Sequence, residues 1–530
     1  MTEQTANKST IAKSAATVGI AVMCSRVLGL VREQVFAGLF GAGYTYDSFV
    51  VAFRIPNLLR DLFGEGALSA AFVTVFSAYD TNRTQEDTWK LASNVLTFIL
   101  ILLSILTLLG IFFSESIVTL LAPDFSLIAG KTALTTKLTQ IMLPFLVFIS
   151  LSAVVMGVLN TKGRFFIPAI ASSFFNLGSI IGGTSLAFIL PHFGQPAIVG
   201  MAIGTLIGGL LQLGIQIPSL LNTGFRYTPT LDLSDPGLRR ILKLMIPATV
   251  GLSATQINIF INTNFASSCV EGSVSWLYYA FRLVQLPIGV FGVALSIAML
   301  PILAKQAAKK NIAEMKKTMV SSLTMVFALT LPATAGLIIL AEPIIRLIFE
   351  HGAFTPADTL ATANTLALYS IGLFAYSSNK VLVPAFYALD KTHYPVIASF
   401  MAIGFNILII NLTIGRFGYL AIAFSTSCTM LINFVFLMIV LYKNLNGFSL
   451  VYLGKSLVKI LLATAALTGL LLYALPFFKT FFDNSVIHQS GSLFTLILSA
   501  TTLYGIILHL LKLTEMNILT EMIRSKFFNK

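Results

Sequence analysis

AFRIPNLLRDLFGEGALSAAF, running from Ala52 to Phe72, returns as AFRLVQLPIGVFGVALSIAML from Ala280 to Leu300. The AFR and FG elements recur at an offset of 228 residues, and ALS, after a one-residue slip, at 227. PAIAS from Pro168 and PVIAS from Pro395 repeat the offset of 227, and ATVG recurs at Ala16 and Ala248, 232 apart. One such match is weak, because apolar segments draw on few residue types. Three in the same order at nearly one offset mark an internal repeat. The repeated segments are apolar, and so is the chain: of 530 residues 56% are hydrophobic and 10% charged. A soluble domain carries about 25% charged residues, so the sequence reads as an all-α polytopic membrane protein.

Apolar windows near the roughly 20 residues needed to span a bilayer core predict fourteen transmembrane helices. They lie near 14–40, 45–79, 91–113, 134–160, 166–190, 196–221, 238–268, 274–303, 319–346, 358–388, 394–415, 417–442, 453–476 and 491–513. The long second window has an alternative, two pieces broken around Pro56 or Gly64. The first window carries Arg26 and Arg32, so it lacks a clean signal-peptide core and is expected to stay attached.

The basic residues test this map independently. Of 34 Lys and Arg, 23 fall on the side that holds the N-terminus, and five fall on the other: Lys131, Lys137, Arg346, Arg416 and Lys479. The positive-inside rule then puts both termini in the cytoplasm, as an even helix count requires. The net charge of +13 is mostly this bias, and no nucleic-acid partner is needed to explain it. With six windows per copy the repeat is parallel, its pseudo-axis along the membrane normal, which is transporter architecture. The expected layout is two pseudo-symmetric six-helix lobes, 1–225 and 226–445, followed by a C-terminal helix pair in 446–530. Cys24, Cys269 and Cys428 show no ligand spacing and read as small buried thiols.

Six cations and four acids lie inside predicted spans: Arg26, Arg32, Arg54, Arg60, Arg282 and Lys380 against Glu33, Asp47, Asp61 and Glu65. A charge at the centre of a helix in lipid costs about 2.5–3.5 kcal/mol on insertion scales, so each must face protein, a partner or a wet cavity. Eight of the ten fall in the first two windows. Asp47, Arg54 and Asp61 are spaced by seven and share one helical stripe, as do Arg26 and Glu33. For Asp47, Arg54 and Asp61 internal salt bridges between the first two helices are as good a reading as a ligand site. Arg26, Arg32, Arg60 and Arg282 favour a ligand, because the eighth window holds no acid to pair with Arg282. Arginine's planar fork suits a diphosphate. The net of +2 favours an anionic substrate over an organic cation.

SRVLGLVREQVFAGLFGAG (Ser25–Gly43), FRIPNLLRDLFGEGALSAAFV (Phe53–Val73) and GSVSWLYYAFRLVQLPIGVFGVALSIAMLP (Gly272–Pro301) closely resemble the MurJ/MviN family. NTKGRFFIPA (Asn160–Ala169) and FYALDKTHYPV (Phe386–Val396) extend the likeness over nearly the whole chain. The resemblance implies a fourteen-helix, two-lobe member of the multidrug/oligosaccharidyl-lipid/polysaccharide exporter superfamily. It implies a flippase that moves lipid II from the cytoplasmic to the periplasmic leaflet of the bacterial inner membrane. It places substrate-binding arginines at Arg26, Arg32, Arg60 and Arg282, with Asp47 and Glu65 at further polar positions, and assigns the last two helices to a polyprenyl-tail groove. Association with the cell-wall synthesis machinery is a further expectation of that kind. Two positions depart from the family's usual pattern. Phe281 stands before Arg282 where relatives often carry an acid, and Asp61 follows Arg60 where relatives carry basic residues.

Three alternatives are weaker. A drug/cation antiporter of the same superfamily conflicts with the cationic sign of the buried charges. A flippase for another polyprenyl-diphosphate glycan fits the charges and is disfavoured only by the motifs. A membrane-embedded glycan-polymerising enzyme would need an assembled acid or metal site. The five histidines are scattered without an HExxH pattern. Arginines beside Asp61 and Glu65 would keep both ionised, which suits ion pairing better than acid–base work. No cofactor or metal is expected.

Overall fold

The computed structural model describes residues 3–63, 66–482 and 485–515, with side chains from residue 18 onward except 62–65, 248, 250–252 and 479–484. Among the described residues there is no β-strand. The first half holds α1 (Glu3–Phe40), α2 (Tyr44–Phe63), α3 (Ala67–Asn82), α4 (Gln85–Phe112), α5 (Ser114–Leu121), α6 (Lys131–Met142), α7 (Phe145–Thr161), α8 (Phe166–Ile189), α9 (Ile198–Gly214), α10 (Ile217–Leu221) and α11 (Pro236–Ser267). The second half holds α12 (Ser273–Pro287), α13 (Ala294–Ala308), α14 (Ile312–Ile339), α15 (Ala341–Phe349), α16 (Pro356–Ile371), α17 (Leu373–Ala388), α18 (His393–Phe417), α19 (Leu420–Asn444), α20 (Leu450–Phe482) and α21 (Val486–Leu510).

Ten of the described helical segments are long and apolar enough to cross a membrane, or eleven if α16 and α17, bent by 43°, count as one. The charge-bearing α1, α2, α3 and α11 are not among them. The second window does not break at Pro56, because α2 runs unbroken through it to Phe63; α3 starts at Ala67 after a turn at Gly66, and Gly64 lies outside the described residues.

Several helices start with polar caps, as exposed backbone N–H groups require. The Thr84 hydroxyl accepts from Asp87 N at the start of α4, and Asp235 accepts from Leu238 N at the start of α11, with Pro236 in the first turn. Thr355 and Asp358 form a reciprocal capping box on α16. Inside the apolar layer close packing takes over. Gly200, Gly204 and Gly208, one turn apart on α9, lie against α8; a Cβ on Gly204 would sit 2.4 Å from the Cα of Gly183. Small residues four apart let two backbones approach where no hydrophobic force separates helix from lipid.

The helices repeat at the interval read from the sequence. The ends of α1 and α11, the starts of α3 and α13, both ends of α4 and α14, and the starts of α5 and α15 and of α8 and α18 each lie 227 residues apart. Gly66, the turn residue before α3, lies 227 residues before Val293, the last residue of a π-helical turn, Ile288–Val293.

The chain divides into two compact units, Met1–Ser275 and Trp276–Lys530. In the first, Phe72, Phe76, Leu91, Val154 and Leu238 belong to one buried core of α3, α4, α7 and α11. In the second, α20 and α21 share a core with α14, α17 and α19. The Tyr504 hydroxyl donates to the Ala328 carbonyl at 2.6 Å, tying α21 to α14. Cys24 is exposed on the chain's own surface and Cys269 and Cys428 are half-buried, so none is the fully buried thiol that composition suggested.

Candidate functional site

In the first unit α1 and α2 meet through a carboxylate. Glu33 is buried; one oxygen takes the Arg32 guanidinium at 2.6 Å and the other accepts from the Tyr46 hydroxyl at 2.9 Å. Arg32 is 8% exposed and stacks over Phe175 and Phe36, at 5.3 and 5.9 Å from their ring centres. Neighbours in sequence thus form a buried ion pair, set against aromatic faces that favour a cation. Arg26 is on the same helix and is treated differently. It is exposed, and among the described residues it has no hydrogen-bond or ion-pair partner.

Asp47 is 1% exposed and fully engaged. Its carboxylate takes the Lys131 ammonium at 3.0 Å, Gly272 N and Ser275 N at 2.9 Å each, and the Ser275 hydroxyl at 2.6 Å. It therefore neutralises Lys131 and caps the start of α12, whose first N–H groups would otherwise be orphaned. Lys131 read from the sequence as a cation beyond the spans. It is the first residue of α6, 1% exposed, with its ammonium 4.3 Å from the Phe125 ring centre. Close by, Tyr44 N donates to Glu271 at 2.9 Å, and the glycine at 43 is required, because its φ is +145° and a Cβ would lie 3.1 Å from that carboxylate.

Further along α2 the partners come from α11. Arg54 donates to the Thr263 hydroxyl and, at 3.3 Å, to the Ile259 carbonyl. Arg60 and Asp61 pair at 2.9 Å with about a quarter and a third of each side chain exposed, and the second Asp61 oxygen accepts from Gln256 at 3.1 Å. Gln256 and Thr263 are seven apart, as are Asp61 and Arg54, and they pair in reverse order. Two antiparallel helices thus match polar stripes across a contact. Glu65 lies outside the described residues.

In the second unit Arg282 is half-buried on α12; its guanidinium donates to the Tyr278 hydroxyl at 2.7 Å and lies 5.0 Å from that ring's centre. Phe281, which precedes Arg282, packs edge-on against Tyr369 at 5.4 Å. Lys380 is exposed, 5.7 Å from the Tyr376 ring centre.

The salt bridges expected between the first two helices are thus mostly elsewhere. The Tyr46–Glu33 hydrogen bond joins α1 to α2, while Asp47, Arg54 and Asp61 look to α6, α11 and the start of α12. Sequence reasoning missed Lys131, Tyr46, Gln256, Thr263 and Tyr278. The seven-residue spacing in α11, and a tyrosine one turn before Arg282, were the signals available for three of them. Outside the spans, burial pushes the Cys269 thiol up to about 11. Among the described residues no group of three His, Cys, Asp or Glu could hold a metal.

Ten or eleven apolar spans among the described residues and a helical repeat at 227 residues define a polytopic helical membrane protein. Residues 36–490 match the family model described as lipid II flippase MurJ. The probable lipid II flippase MurJ of Buchnera aphidicola subsp. Acyrthosiphon pisum is 38% identical over 428 residues, covering 81% of this chain and 83% of the relative. That of Vibrio cholerae is 36% identical over 474 residues, covering 87% and 89%. A solved structure of lipid II flippase MurJ in an inward closed conformation superposes with a TM-score of 0.75 at 30% identity, covering 93% of this chain and 98% of that one. An inward-facing MATE family transporter of the MOP superfamily shares the fold at a TM-score of 0.67 and 15% identity, covering 82% and 98%. The chain belongs to the MurJ family of lipid II flippases.

Proposed function

We propose that this protein is a lipid II flippase of the bacterial inner membrane, carrying the undecaprenyl-diphosphate-linked peptidoglycan precursor from the cytoplasmic to the periplasmic leaflet by alternating access. The observation that carries the reading is Arg26, a cation inside an apolar helix that is exposed and has no partner among the described residues. Such a group is unfavourable in hydrocarbon and suits a site that receives an anion. The other arginines are held in graded ways. Arg60 and Arg282, partly exposed, can turn one face of the guanidinium to a diphosphate while keeping Asp61 and Tyr278. Arg32, buried against Glu33, sets the field from behind.

Among the supporting charges, Arg54, Asp61 and Glu33 hold the α2, α11 and α1 surfaces in register, and Glu65 belongs to the same motif. Asp47 acts through structure, since Lys131 neutralises it. Discounting Asp47 leaves six cations against three acids in the predicted spans, which strengthens the case for an anionic cargo. The 227-residue register of the helices supports fourteen spans in two parallel six-helix lobes (1–225 and 226–445) plus a pair in 446–530. At 1.5 Å per residue α1 and α11, with 38 and 32 residues, exceed a roughly 30 Å core. The apolar α20 and α21 offer the polyprenyl tail a surface, and the lysine and arginine bias supports cytoplasmic termini. No acid–base or metal chemistry enters this scheme: the protein supplies binding and a path. Association with cell-wall synthesis enzymes, which consume the product on the far leaflet, belongs to the same proposal.

Binding tests the site. Purified protein titrated with lipid II, and with an undecaprenyl monophosphate lacking head group and second phosphate, is expected to prefer lipid II. Arg26→Ala and Arg282→Ala are expected to weaken lipid II binding about tenfold each, the scale of one charge-assisted contact. Equal binding of both lipids by wild type and variants would remove the arginines from the substrate site.

A further inference from the structure

At the N-terminal ends of α14 and α20 the second unit opens onto a cavity of about 540 Å³, within the range of about 300–1,000 Å³ typical of small-ligand sites. Its walls are of two kinds. Val320 and Phe448 are apolar and buried, while Lys316, Lys317 and Glu515 bring charge. Glu515 is the unusual member: it is 3% exposed. One of its oxygens accepts from the Tyr452 hydroxyl at 3.0 Å. The other, Oε2, is buried and has no hydrogen-bond partner among the described residues. The nearby lysines are engaged otherwise. The Lys316 ammonium donates to the Asn446 carbonyl at 3.1 Å, and Lys317, three-quarters exposed, pairs with Glu314 at 3.0 Å. Among the described residues Glu515 thus has one donor and no ion pair, a setting that is strongly unfavourable for a buried carboxylate unless a cationic N–H arrives.

We propose that this cavity binds the head group of a phosphatidylethanolamine lipid. The primary ammonium donates to Glu515 Oε2, the phosphate faces Lys317 and Lys316, and the glycerol and acyl chains follow Val320 and Phe448 onto α14 and α20. The chemistry selects this head group. A phosphatidylglycerol brings no cation to the carboxylate, and the quaternary ammonium of a phosphatidylcholine has no N–H to give. The lysines and the partly exposed Tyr452 suit headgroup depth, where long cationic and amphipathic side chains gather. None of the arginines assigned to the cargo lines this cavity, so the proposal stands apart from the choice of cargo.

Native mass spectrometry on the delipidated full chain in detergent tests it, with titrations of phosphatidylethanolamine, phosphatidylcholine, phosphatidylglycerol and soluble phosphoethanolamine. Wild type is expected to prefer phosphatidylethanolamine about tenfold over the other two lipids, as one charge-assisted hydrogen bond allows. Glu515→Gln should lose that preference while keeping the lipid-free melting midpoint. The exposed pair Lys316→Gln with Lys317→Gln should weaken all phosphate-bearing lipids and leave the preference in place. Equal binding of the three lipids by wild type overturns the proposal, as does an unchanged preference in Glu515→Gln or unchanged lipid binding in the lysine variant. Soluble phosphoethanolamine competing as well as the lipid overturns it too, in favour of a free phosphoamine site.

Discussion

Arg26 and Asp47 are both charges set in apolar sequence, and their surroundings give them opposite work. Asp47 has four donors, one of them a buried ammonium, so removing Lys131 leaves a carboxylate short of its counter-charge. Lys131→Met is expected to destabilise the protein by about 3–5 kcal/mol, the usual cost of breaking one side of a buried pair. Thermal unfolding in detergent reads this, and the double variant Asp47→Asn with Lys131→Met should lose less than the two single variants together. An unshifted midpoint in Lys131→Met would mean that the pair is not buried in the working protein. Arg26 calls for the reverse pattern. Arg26→Ala should keep the wild-type melting midpoint and lose lipid II transport, with Arg26→Lys in between, because an ammonium keeps the charge and loses the fork. The charges themselves were legible in the sequence, since any ionisable residue in a long apolar run stands out. Their partners were not, because Lys131, Gln256 and Thr263 lie tens to hundreds of residues away and only folding brings them to α2.

Helices show how far local pattern carries. The apolar windows fell on helices because length and hydropathy govern insertion. Boundaries were less legible: the second window became α2 and α3 and the fourth α6 and α7, because glycine and proline break a helix only where tertiary packing lets them. The α8–α9 contact was written in IVGMAIGTLIGG, where glycines recur every fourth residue. Gly204→Leu is expected to lower the melting midpoint strongly, and Gly204→Ala less, because a Cβ already meets the Gly183 backbone at 2.4 Å. Equal midpoints in all three would mean that the two helices do not pack backbone to backbone. The loop from α11 to α12 gives a chemical prediction. Burial raises the Cys269 thiol from 9.0 to about 11, so the reactive thiolate is scarce at neutral pH. In a Cys24→Ser, Cys428→Ser background, maleimide labelling at pH 8 should run about a hundredfold slower than an unshifted thiol and rise steeply toward pH 11. Labelling at the rate of an ordinary exposed thiol would place Cys269 in water.

At the scale of the molecule the 227-residue register is the fact that sequence and structure share most fully. Fragments such as AFR and PAIAS sampled it thinly, while the ends of α1, α4, α11 and α14 and the starts of α3, α5, α8, α13, α15 and α18 keep it. Duplication preserves backbone architecture while side chains diverge, which is why Arg54 and Arg282 occupy equivalent places and keep different company. The family was legible in the long motifs around Arg26, Arg60 and Arg282, and the relatives' coverage agrees with it. Reporter fusions at both ends should report the cytoplasm; a periplasmic signal at one end would require an odd number of spans. The proposed transport rests on the arginines of α1, α2 and α12 carrying lipid II across the membrane. The most direct measurement is periplasmic accessibility of lipid II in cells depleted of their own flippase and complemented with this chain, read by cleavage with an added lipid II-degrading toxin. Wild type is predicted to restore cleavage, while Arg26→Ala and Arg282→Ala insert normally and fail. Wild type that inserts well and leaves lipid II inaccessible would rule out lipid II as the cargo, and variants that flip at the wild-type rate would rule out the arginines as its site.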